Sequence, residues 1–179
     1  MKYLLTGQDT DRLRFRLLTR DDYDTWIELF KNNLVGGFLG MADLSTPQEQ
    51  CDKWFELCEN RYKNDLGGMN VLIDKSTNKL VGQCGLLIQD VDCTKELEIG
   101  YSMLPKYWNK GYATEAAKKC RDFAFINSYT DTLISIVHID NIKSEKVALK
   151  NGMTKTKQTV FKGMPVNIFR INKTEWTNK

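Results

Sequence analysis

The hydrophobic positions of this chain repeat with two periods, one typical of strands and the other typical of helices. Residues 12–18 alternate between polar and apolar with period two, which predicts a half-buried strand with Leu13, Phe15 and Leu17 facing inward. In the next segment, apolar residues recur every three or four positions. This spacing predicts an amphipathic helix whose apolar face is formed by Tyr23, Trp26, Ile27 and Phe30.

A second helix start follows a glycine-rich segment. Residues 33–45 contain three glycines and few charges, so we expect an irregular connection there. Thr46 then suits an N-cap, Pro47 suits the first helical position, and Glu49 completes a capping box. Two cysteines lie on the apolar face of this helix, and core packing is favoured over a redox or metal role because free cysteine buries readily. The face consists of Cys51, Trp54, Phe55, Cys58 and Tyr62.

The rest of the chain reads as strands and helices in turn. Runs of strand-forming residues bounded by turns predict six more strands, at residues 70–74, 79–89, 96–104, 133–139, 155–161 and 166–171. Amphipathic stretches predict one helix after Gly111 and another at 142–150. The strand at 133–139 should be parallel to its predecessor, because a helix connects them. Without repeats or linkers, residues 1–179 are expected to form one α/β domain with a mixed sheet.

Composition excludes several classes of protein. Of 179 residues, 41% are hydrophobic and 27% charged, and 26 basic against 23 acidic residues give a net charge of +3. This balance offers no basic face for nucleic acid, and no apolar run approaches the roughly 18 residues of a membrane span. The first residues are too few and too polar for a signal peptide. Five irregularly spaced cysteines fit a reduced, cytoplasmic protein, and together with a single histidine they predict no metal site.

The most informative segment is residues 98–117, which reads as an apolar strand, a loop of small residues and the first turn of a helix. The first amides of a helix have no partner within it, and the helix dipole adds partial positive charge there. Gly111 and Ala113 allow the backbone to approach an anion closely. The segment is therefore typical of a site for a phosphate-bearing ligand.

A second motif follows the predicted parallel strand. Asn141 stands at the strand end, Ser144 one turn later, and Lys150 and Gly152 close the short helix. Together with residues 105–116, this motif resembles the GNAT superfamily of N-acetyltransferases, and most closely the branch that includes the ribosomal-protein N-terminal acetyltransferases. The resemblance implies a strongly twisted mixed sheet of six or seven strands with about four helices on its faces. It also implies acetyl transfer from acetyl-CoA to a primary amine, by direct attack in a ternary complex.

The resemblance further implies which residues hold acetyl-CoA. In this family the strand before the loop splays from its parallel neighbour, and the pantetheine arm pairs with free backbone groups, here those of Tyr101, Ser102 and Met103. The pyrophosphate rests on amides of the loop and first helical turn, here Asn109, Lys110, Gly111, Tyr112, Ala113 and Thr114. Asn141 matches a position that bonds pantetheine, and Ser144 matches one near the thioester sulfur.

Acetyl transfer needs a base, an oxyanion donor and a proton source. Glu98 is the candidate base, because it lies on the strand entering the site and burial would raise the pKa of its carboxyl. A structurally paired Glu98, with a water chain as base, is the alternative. A backbone N–H near Met103 is the candidate oxyanion donor, and the Ser144 hydroxyl is the candidate proton donor to the thiolate. His138 is interpreted as a packing or cleft-lining residue.

Two positions depart from the common family pattern. The loop begins with Trp108, where Gln or Arg is frequent, and loop packing is the favoured role for Trp108 and Tyr112. Many members carry a general-acid tyrosine at the position of Ala148, so the proton donor stays open between Ser144, a water and none. The absent tyrosine motivates a second hypothesis, a non-catalytic acyl-CoA-binding regulatory domain.

The sequence leaves the acceptor amine open. In this family the acceptor is selected by the first two helices, the loop between them, here residues 33–45, and the last hairpin. Because Asp43 is the one charged residue of that loop, no strongly cationic acceptor is predicted. A small-molecule amine and a protein N-terminus both remain, and the open sheet edges are compatible with a homodimer.

Overall fold

A computed structural model describes residues 2–176 as a seven-stranded sheet with helices on both faces. The strands are β1 (Leu13–Arg16), β2 (Gly67–Asp74), β3 (Lys79–Val91), β4 (Thr94–Met103), β5 (Thr132–His138), β6 (Thr154–Phe161) and β7 (Met164–Asn172). The helices are α1 (Tyr23–Trp26), α2 (Asn33–Phe38), α3 (Pro47–Lys63), α4 (Tyr112–Ile126) and α5 (Ile142–Lys150). The predicted mixed α/β sheet is confirmed, with one more short helix than expected.

Two local predictions near the start of the chain are wrong. The glycine-rich segment expected to be irregular contains α2, because the Asn32 side chain caps this helix by accepting from the Leu34 N–H at 3.1 Å. Val35 and Gly36 are buried, so packing offsets the low helix propensity of glycine. Leu17, expected to face inward on the first strand, lies beyond the end of β1 and is only half-buried.

The start of α3 is as predicted. The Glu49 N–H donates to the Thr46 hydroxyl at 3.2 Å, and the Thr46 N–H donates back to the Glu49 carboxylate at 2.9 Å. This reciprocal pair satisfies amides that have no partner inside the helix. Cys51 and Cys58 are buried thiols in the core beneath α3, which confirms their predicted packing role.

The sheet has the order β1-β2-β3-β4-β5-β7-β6, and β4 and β5 are its one parallel pair of strands within the described chain. Helix α4 connects β4 to β5, and the two strands are parallel, as the sequence predicts. β3 and β4 pair from Gly82–Met103 to Val91–Thr94, whereas β4 and β5 pair only at Glu98–Ile134. The Ser135 hydroxyl donates to the Ile99 carbonyl at 2.8 Å, and beyond this bond the two strands separate. We call this gap the β4–β5 fork.

Side chains of β4 alternate between the two faces of the sheet. One face packs under α4 and α5, with Ile99 and Met103 in the same core cluster as Ala116 and Ala148. We call this face the α4–α5 side. The other face, the α1–α3 side, carries a second core cluster around Trp26, Trp54 and Phe55. Glu98, Gly100 and Ser102 point to the α1–α3 side and are half-buried. No helix among residues 2–176 is long and apolar enough to cross a membrane.

Candidate active site

The mouth of the fork is formed by the loop between β4 and α4. Gly111 precedes the first helical residue with φ of +83°, and Asn109 has φ of +61°. These left-handed conformations turn the chain sharply, and glycine adopts them without steric cost. The first intrahelical bond runs from the Glu115 N–H to the Gly111 carbonyl, so the earlier amides of α4 have no partner inside the helix. The mouth of the fork therefore has the donors and dipole of an anion cradle.

Residues 10–12, which lie just before β1, hold the loop between β4 and α4 in place. The Glu115 carboxylate accepts from the Thr10 hydroxyl at 2.5 Å, the Arg12 N–H at 3.0 Å and the Arg12 guanidinium at 2.6 Å. Burial alone would raise the pKa of Glu115, but these hydrogen bonds outweigh it and lower the pKa. The same guanidinium donates to the Lys110 carbonyl at 3.0 Å. Residues far apart in sequence thus fix the shape of the cradle.

Tyr112 and Trp108 anchor the two ends of the loop. The Tyr112 hydroxyl donates to the Asp74 carboxylate at 2.6 Å. The Trp108 indole N–H donates to the Met103 carbonyl at 2.6 Å, and the Lys143 ammonium lies 3.9 Å from the Trp108 ring centroid. Both aromatic residues therefore pack the loop, as expected. The contact with Lys143 also joins the loop to α5 across the fork, which local sequence does not indicate.

Helix α5 closes the α4–α5 side of the fork. The Asn141 side-chain oxygen accepts from the Ser144 N–H at 3.1 Å, so Asn141 is the N-cap of the helix. The Tyr101 hydroxyl donates to the Ser144 carbonyl at 2.8 Å. Burial raises the pKa of Tyr101, so its hydroxyl remains a neutral donor. Ala148, where the family often has tyrosine, is buried in the same core cluster as the Tyr101 ring. The Tyr101 side chain thus fixes the distance between β4 and α5. The sequence predicted a role only for the backbone of Tyr101 and missed this role of its side chain.

The α1–α3 side of the fork is a partly exposed surface bordered by aromatic side chains. Its floor is β4, where Glu98, Gly100 and Ser102 are half-buried. The rings of Phe38 and His138 lie 5.2 Å apart, so α2 reaches the end of β5. A Cβ built on Gly40 would come within 3.1 Å of Met164, so the segment after α2 also reaches the β6–β7 hairpin.

His138 packs at the edge of this surface, in keeping with its predicted packing role. Its ring packs on Phe38, and its Nδ1 accepts from the Asp140 N–H at 3.2 Å. Because Nδ1 acts as an acceptor, the imidazole is engaged by the backbone at the strand end. This geometry supports the packing interpretation.

Glu98 has the environment of a basic carboxylate. Burial raises its pKa, although the hydrogen bond from Gln89 and the charges of Arg61 and Lys162 oppose the shift. The Gln89 amide donates to the Glu98 carboxylate at 2.6 Å and accepts from the Arg61 guanidinium at 2.8 Å. In contrast, Glu96 on the same strand forms an ion pair with Arg170 at 2.5 Å. The direction of this shift is the one that the sequence predicts for Glu98, and its role as base stays a prediction.

The α1–α3 side is completed by residues for which the sequence predicted helix packing only, or no role. The Trp54 indole N–H donates to the Gln83 amide oxygen at 3.2 Å, and the Trp26 ring lies 5.6 Å from the Trp54 ring. Polar Gln83, inside an apolar strand sequence, is the one local signal for this group. Arg61 on α3 and Lys162 in the last turn join this side only through the tertiary fold.

The fold brings most of the predicted site residues together at the fork. Those on the loop and α5 line its mouth and α4–α5 side, and Glu98 lies at its base on the opposite side. A forked parallel strand pair with an anion cradle at its mouth is typical of acyltransferases that use a coenzyme A thioester. Sequence comparison narrows this class, because residues 12–154 match the Acetyltransferase (GNAT) domain. The chain belongs to the GNAT family of acetyltransferases and is an N-acetyltransferase.

Two Bacillus subtilis (strain 168) proteins are similar in sequence over most of their length. The uncharacterized protein YkkB is 28% identical over 162 residues, which cover 89% of this chain and 92% of YkkB. The uncharacterized N-acetyltransferase YoaA is 27% identical over 149 residues, which cover 82% of each chain. The relationship therefore extends across the whole fold rather than the loop motif alone.

Solved acetyltransferase structures share the fold at low identity. An acetyltransferase from Agrobacterium tumefaciens C58 has a TM-score of 0.76 at 22% identity and covers 96% of this chain and 97% of its own. Spermidine N-acetyltransferase from Vibrio cholerae, in complex with CoA and spermine, has a TM-score of 0.71 at 19% identity over 93% and 98%. RimL, the ribosomal L7/L12 α-N-protein acetyltransferase, in complex with CoA, has a TM-score of 0.70 at 14% identity over 93% and 97%.

Proposed function

We propose that this protein transfers the acetyl group of acetyl-CoA to the primary amine of a protein N-terminus or a small molecule, by direct attack in a ternary complex. The observation that carries this proposal is the β4–β5 fork, where the two parallel strands pair only at Glu98–Ile134. The α4–α5 side offers an anion cradle, and the α1–α3 side offers a carboxylate with a raised pKa. The two reactants would therefore meet at β4 from opposite faces.

We expect acetyl-CoA to be bound by backbone groups of β4 and by the anion cradle. The pyrophosphate would accept from amides between Asn109 and Thr114, which lie at the start of α4 and carry the helix dipole. The pantetheine arm would lie along Tyr101, Ser102 and Met103, in the gap where β4 has no strand partner on the β5 side. The Met103 carbonyl already accepts one bond from Trp108, and a carbonyl oxygen can accept a second. Asn141 would contribute its amide to the same arm.

Glu98 is the proposed base. Acetyl-CoA supplies an activated acyl group as a thioester, but only a neutral amine attacks it. A carboxylate with a raised pKa accepts the ammonium proton more readily than an ordinary carboxylate does. The new C–N bond then replaces the C–S bond. The first amine proton passes through Glu98 to solvent, and the second, lost from the nitrogen of the tetrahedral intermediate, replaces the proton that the leaving thiolate takes up. A backbone N–H of β4 near Met103 would hold the carbonyl oxygen as charge develops on it.

Ser144 is the proposed proton donor to the thiolate. The Tyr101 hydroxyl holds the Ser144 turn against β4 by donating to its carbonyl at 2.8 Å. Tyr101 acts there as a positioning residue, since its raised pKa makes it a poor acid. Neither the comparisons nor the site geometry gives an observation that favours the non-catalytic alternative.

The first test is the purified protein with acetyl-CoA and a panel of amines. Product should be measured by mass spectrometry, because the exposed thiol of Cys93 would react with thiol-detecting dyes. Acetyl-CoA at about 100 times its Kd should add roughly 2.7 kcal/mol of stability and raise Tm by about 5–11 °C, while ATP and NAD should not. Binding without acetylation of any amine would support the regulatory alternative, and absence of binding would overturn the proposal.

A further inference from the structure

The Arg12 side chain contacts three different groups at the loop between β4 and α4. Its Nε donates to the Glu115 carboxylate at 2.6 Å, and its Nη1 donates to the Lys110 carbonyl at 3.0 Å. The central carbon of the guanidinium lies 4.4 Å from the centroid of the Tyr112 ring. Arg12 and Lys110 are 98 positions apart in the chain, so the local sequence of the loop does not predict this arrangement.

The groups around the guanidinium are themselves held in place. The Glu115 carboxylate also accepts from the Thr10 hydroxyl at 2.5 Å and from the Arg12 N–H at 3.0 Å. The Tyr112 hydroxyl donates to the Asp74 carboxylate at 2.6 Å. Because the ion-pair partner and the stacking ring are both fixed, the direction in which Nη1 of Arg12 points is fixed as well.

Geometry rather than charge distinguishes arginine at this position. The Glu115 carboxylate pairs with the Arg12 guanidinium at 2.6 Å, so the positive charge is already matched by a negative one. A guanidinium has donors in a rigid plane and a face that stacks on an aromatic ring. A lysine ammonium would keep the charge, but it could not donate to Glu115 and Lys110 while stacking on Tyr112.

The hydrogen bond to Lys110 determines the direction of the next amide. The Lys110 carbonyl and the Gly111 N–H belong to one peptide group, and in a trans peptide these two groups point in opposite directions. No peptide bond described for residues 2–176 is cis. The Gly111 N–H therefore points away from Arg12, and it donates to no other backbone carbonyl in the described part of the chain.

The direction away from Arg12 is the direction of the β4–β5 fork. Arg12 directly precedes β1, the edge strand of the sheet, and β4 and β5 lie beyond β2 and β3 in the strand order. Asn109 and Gly111 both have left-handed backbones, with φ of +61° and +83°. Turns of this kind can align successive N–H groups into a concave surface that binds anions.

We infer that Arg12 is a positioning residue, which holds the Lys110 carbonyl so that the Gly111 N–H donates to the pyrophosphate of acetyl-CoA. Arg12 acts through this amide and need not touch the ligand. The inference rests on the proposed function, and it adds a residue from the start of the chain to the recognition of the acyl donor. It requires that Arg12 contributes only to donors that carry a pyrophosphate.

The first experiment compares Arg12→Lys with the native protein, since lysine keeps the charge and loses the planar set of donors. Isothermal titration with CoA should give a Kd about 10- to 100-fold higher, the effect of one hydrogen bond to a charged group. The matched control is Arg16→Lys, which loses a two-bond ion pair with Asp22 on β1 and should keep the native Kd. A native Kd for CoA in Arg12→Lys would overturn the inference.

A donor without pyrophosphate separates positioning from general support of the fold. S-acetylpantetheine carries the same thioester and arm as acetyl-CoA but no phosphate. In Arg12→Lys, kcat/KM for acetyl-CoA should fall by about 10- to 100-fold through KM alone, because the pyrophosphate takes no part in the chemical step. The kcat/KM for S-acetylpantetheine should change by less than about twofold. An equal fall for both donors would show that Arg12 only supports the loop, and the inference would be wrong.

The inference and the proposed function can fail separately. The CoA titration needs no acetyl transfer, so a higher Kd in Arg12→Lys supports the inference even if no amine is acetylated. If Arg12→Lys does not fold, as judged by near-UV circular dichroism, Glu115→Gln decides, since it keeps an oxygen for Thr10 but weakens the hold on the guanidinium. Its Kd for CoA should be roughly three- to tenfold higher, and a native Kd would contradict the inference.

Discussion

The two sides of the β4–β5 fork are built in different ways. The α4–α5 side uses backbone amides, a helix end and caps, and residues 101–114 supply most of it. The α1–α3 side uses side chains from α1, α2, α3, β3, β4 and the last hairpin, and its contacts between aromatic rings join different elements of the fold. A constant ligand such as a nucleotide-bearing thioester can be bound by local backbone geometry. A variable ligand such as an amine requires side chains that can change independently.

The proposed base lies on the α1–α3 side, so the largest effect is expected from Glu98. Glu98→Gln keeps an oxygen for the Gln89 bond but removes the base, and should lower kcat by about 10²- to 10⁴-fold with an unchanged Kd for acetyl-CoA. Steady-state kinetics and calorimetry separate the two quantities. Glu96→Gln, which alters a carboxylate paired with Arg170 on the same face, is the control that should retain kcat.

The pH dependence should follow the raised pKa of Glu98. The base form exists only above that pKa, so kcat/KM should fall on the acidic side with a midpoint above 4.5, the ordinary value for glutamate. The raised pKa also costs folding stability as pH rises through the window above 4.5, because the folded state favours the protonated carboxyl. As pH rises through that range, the free energy of unfolding of Glu98→Gln should therefore increase relative to that of the native protein. If kcat/KM of the variant falls at low pH with the same midpoint, the fall is caused by a group other than Glu98.

The α4–α5 side can be disrupted without changing the chemistry. Gly111→Ala places a Cβ within 3.3 Å of the Arg12 guanidinium at φ of +83°, and should weaken acetyl-CoA binding by about tenfold or more. Gly7→Ala is a matched control, since Gly7 has φ of +80° and nothing within 4 Å of its Cβ position. Both variants should lose about 1–2 kcal/mol of stability. Equal acetyl-CoA affinity in the two variants would contradict the cradle.

A smaller loss of acetyl-CoA affinity is expected at the loop entrance. Trp108→Phe removes the N–H that donates to the Met103 carbonyl but keeps an aromatic face for Lys143. One hydrogen bond of this kind corresponds to roughly a three- to tenfold weaker Kd. Isothermal titration with CoA measures it, and an unchanged Kd would mean that Trp108 packs the loop without aiding the ligand. The KM for the amine should not change.

The smallest effect is expected at the rim of the α1–α3 side. Phe38→Leu removes the aromatic contact with His138 while retaining an apolar side chain. A ring contact of this type corresponds to about a two- to threefold increase in the amine KM. The Kd for acetyl-CoA should stay at its native value. A larger change in acetyl-CoA binding than in amine KM would show that α2 acts on both sides of the fork.

Local sequence determined the elements that depend on local physics. The capping box of α3, the left-handed Gly111 before α4 and the Asn141 cap of α5 each involve residues within a few positions of one another. Hydrophobic period and a crossover helix were sufficient for the mixed sheet and the parallel β4–β5 pair. Helix α2 was missed because a single side-chain cap and burial overrode the glycines of its segment.

Only the tertiary structure decided which side chains meet at the fork. The Tyr101–Ser144 bond spans 43 positions and the Trp54–Gln83 bond spans 29. Such contacts depend on strand register and on how helices pack over the sheet, and a shift of one residue in register would turn Gln83 or Glu98 to the opposite face. The sequence was therefore sufficient to predict an anion cradle, because backbone amides at the start of α4 form it. The amine side was decided by packing, since side chains from six elements converge there.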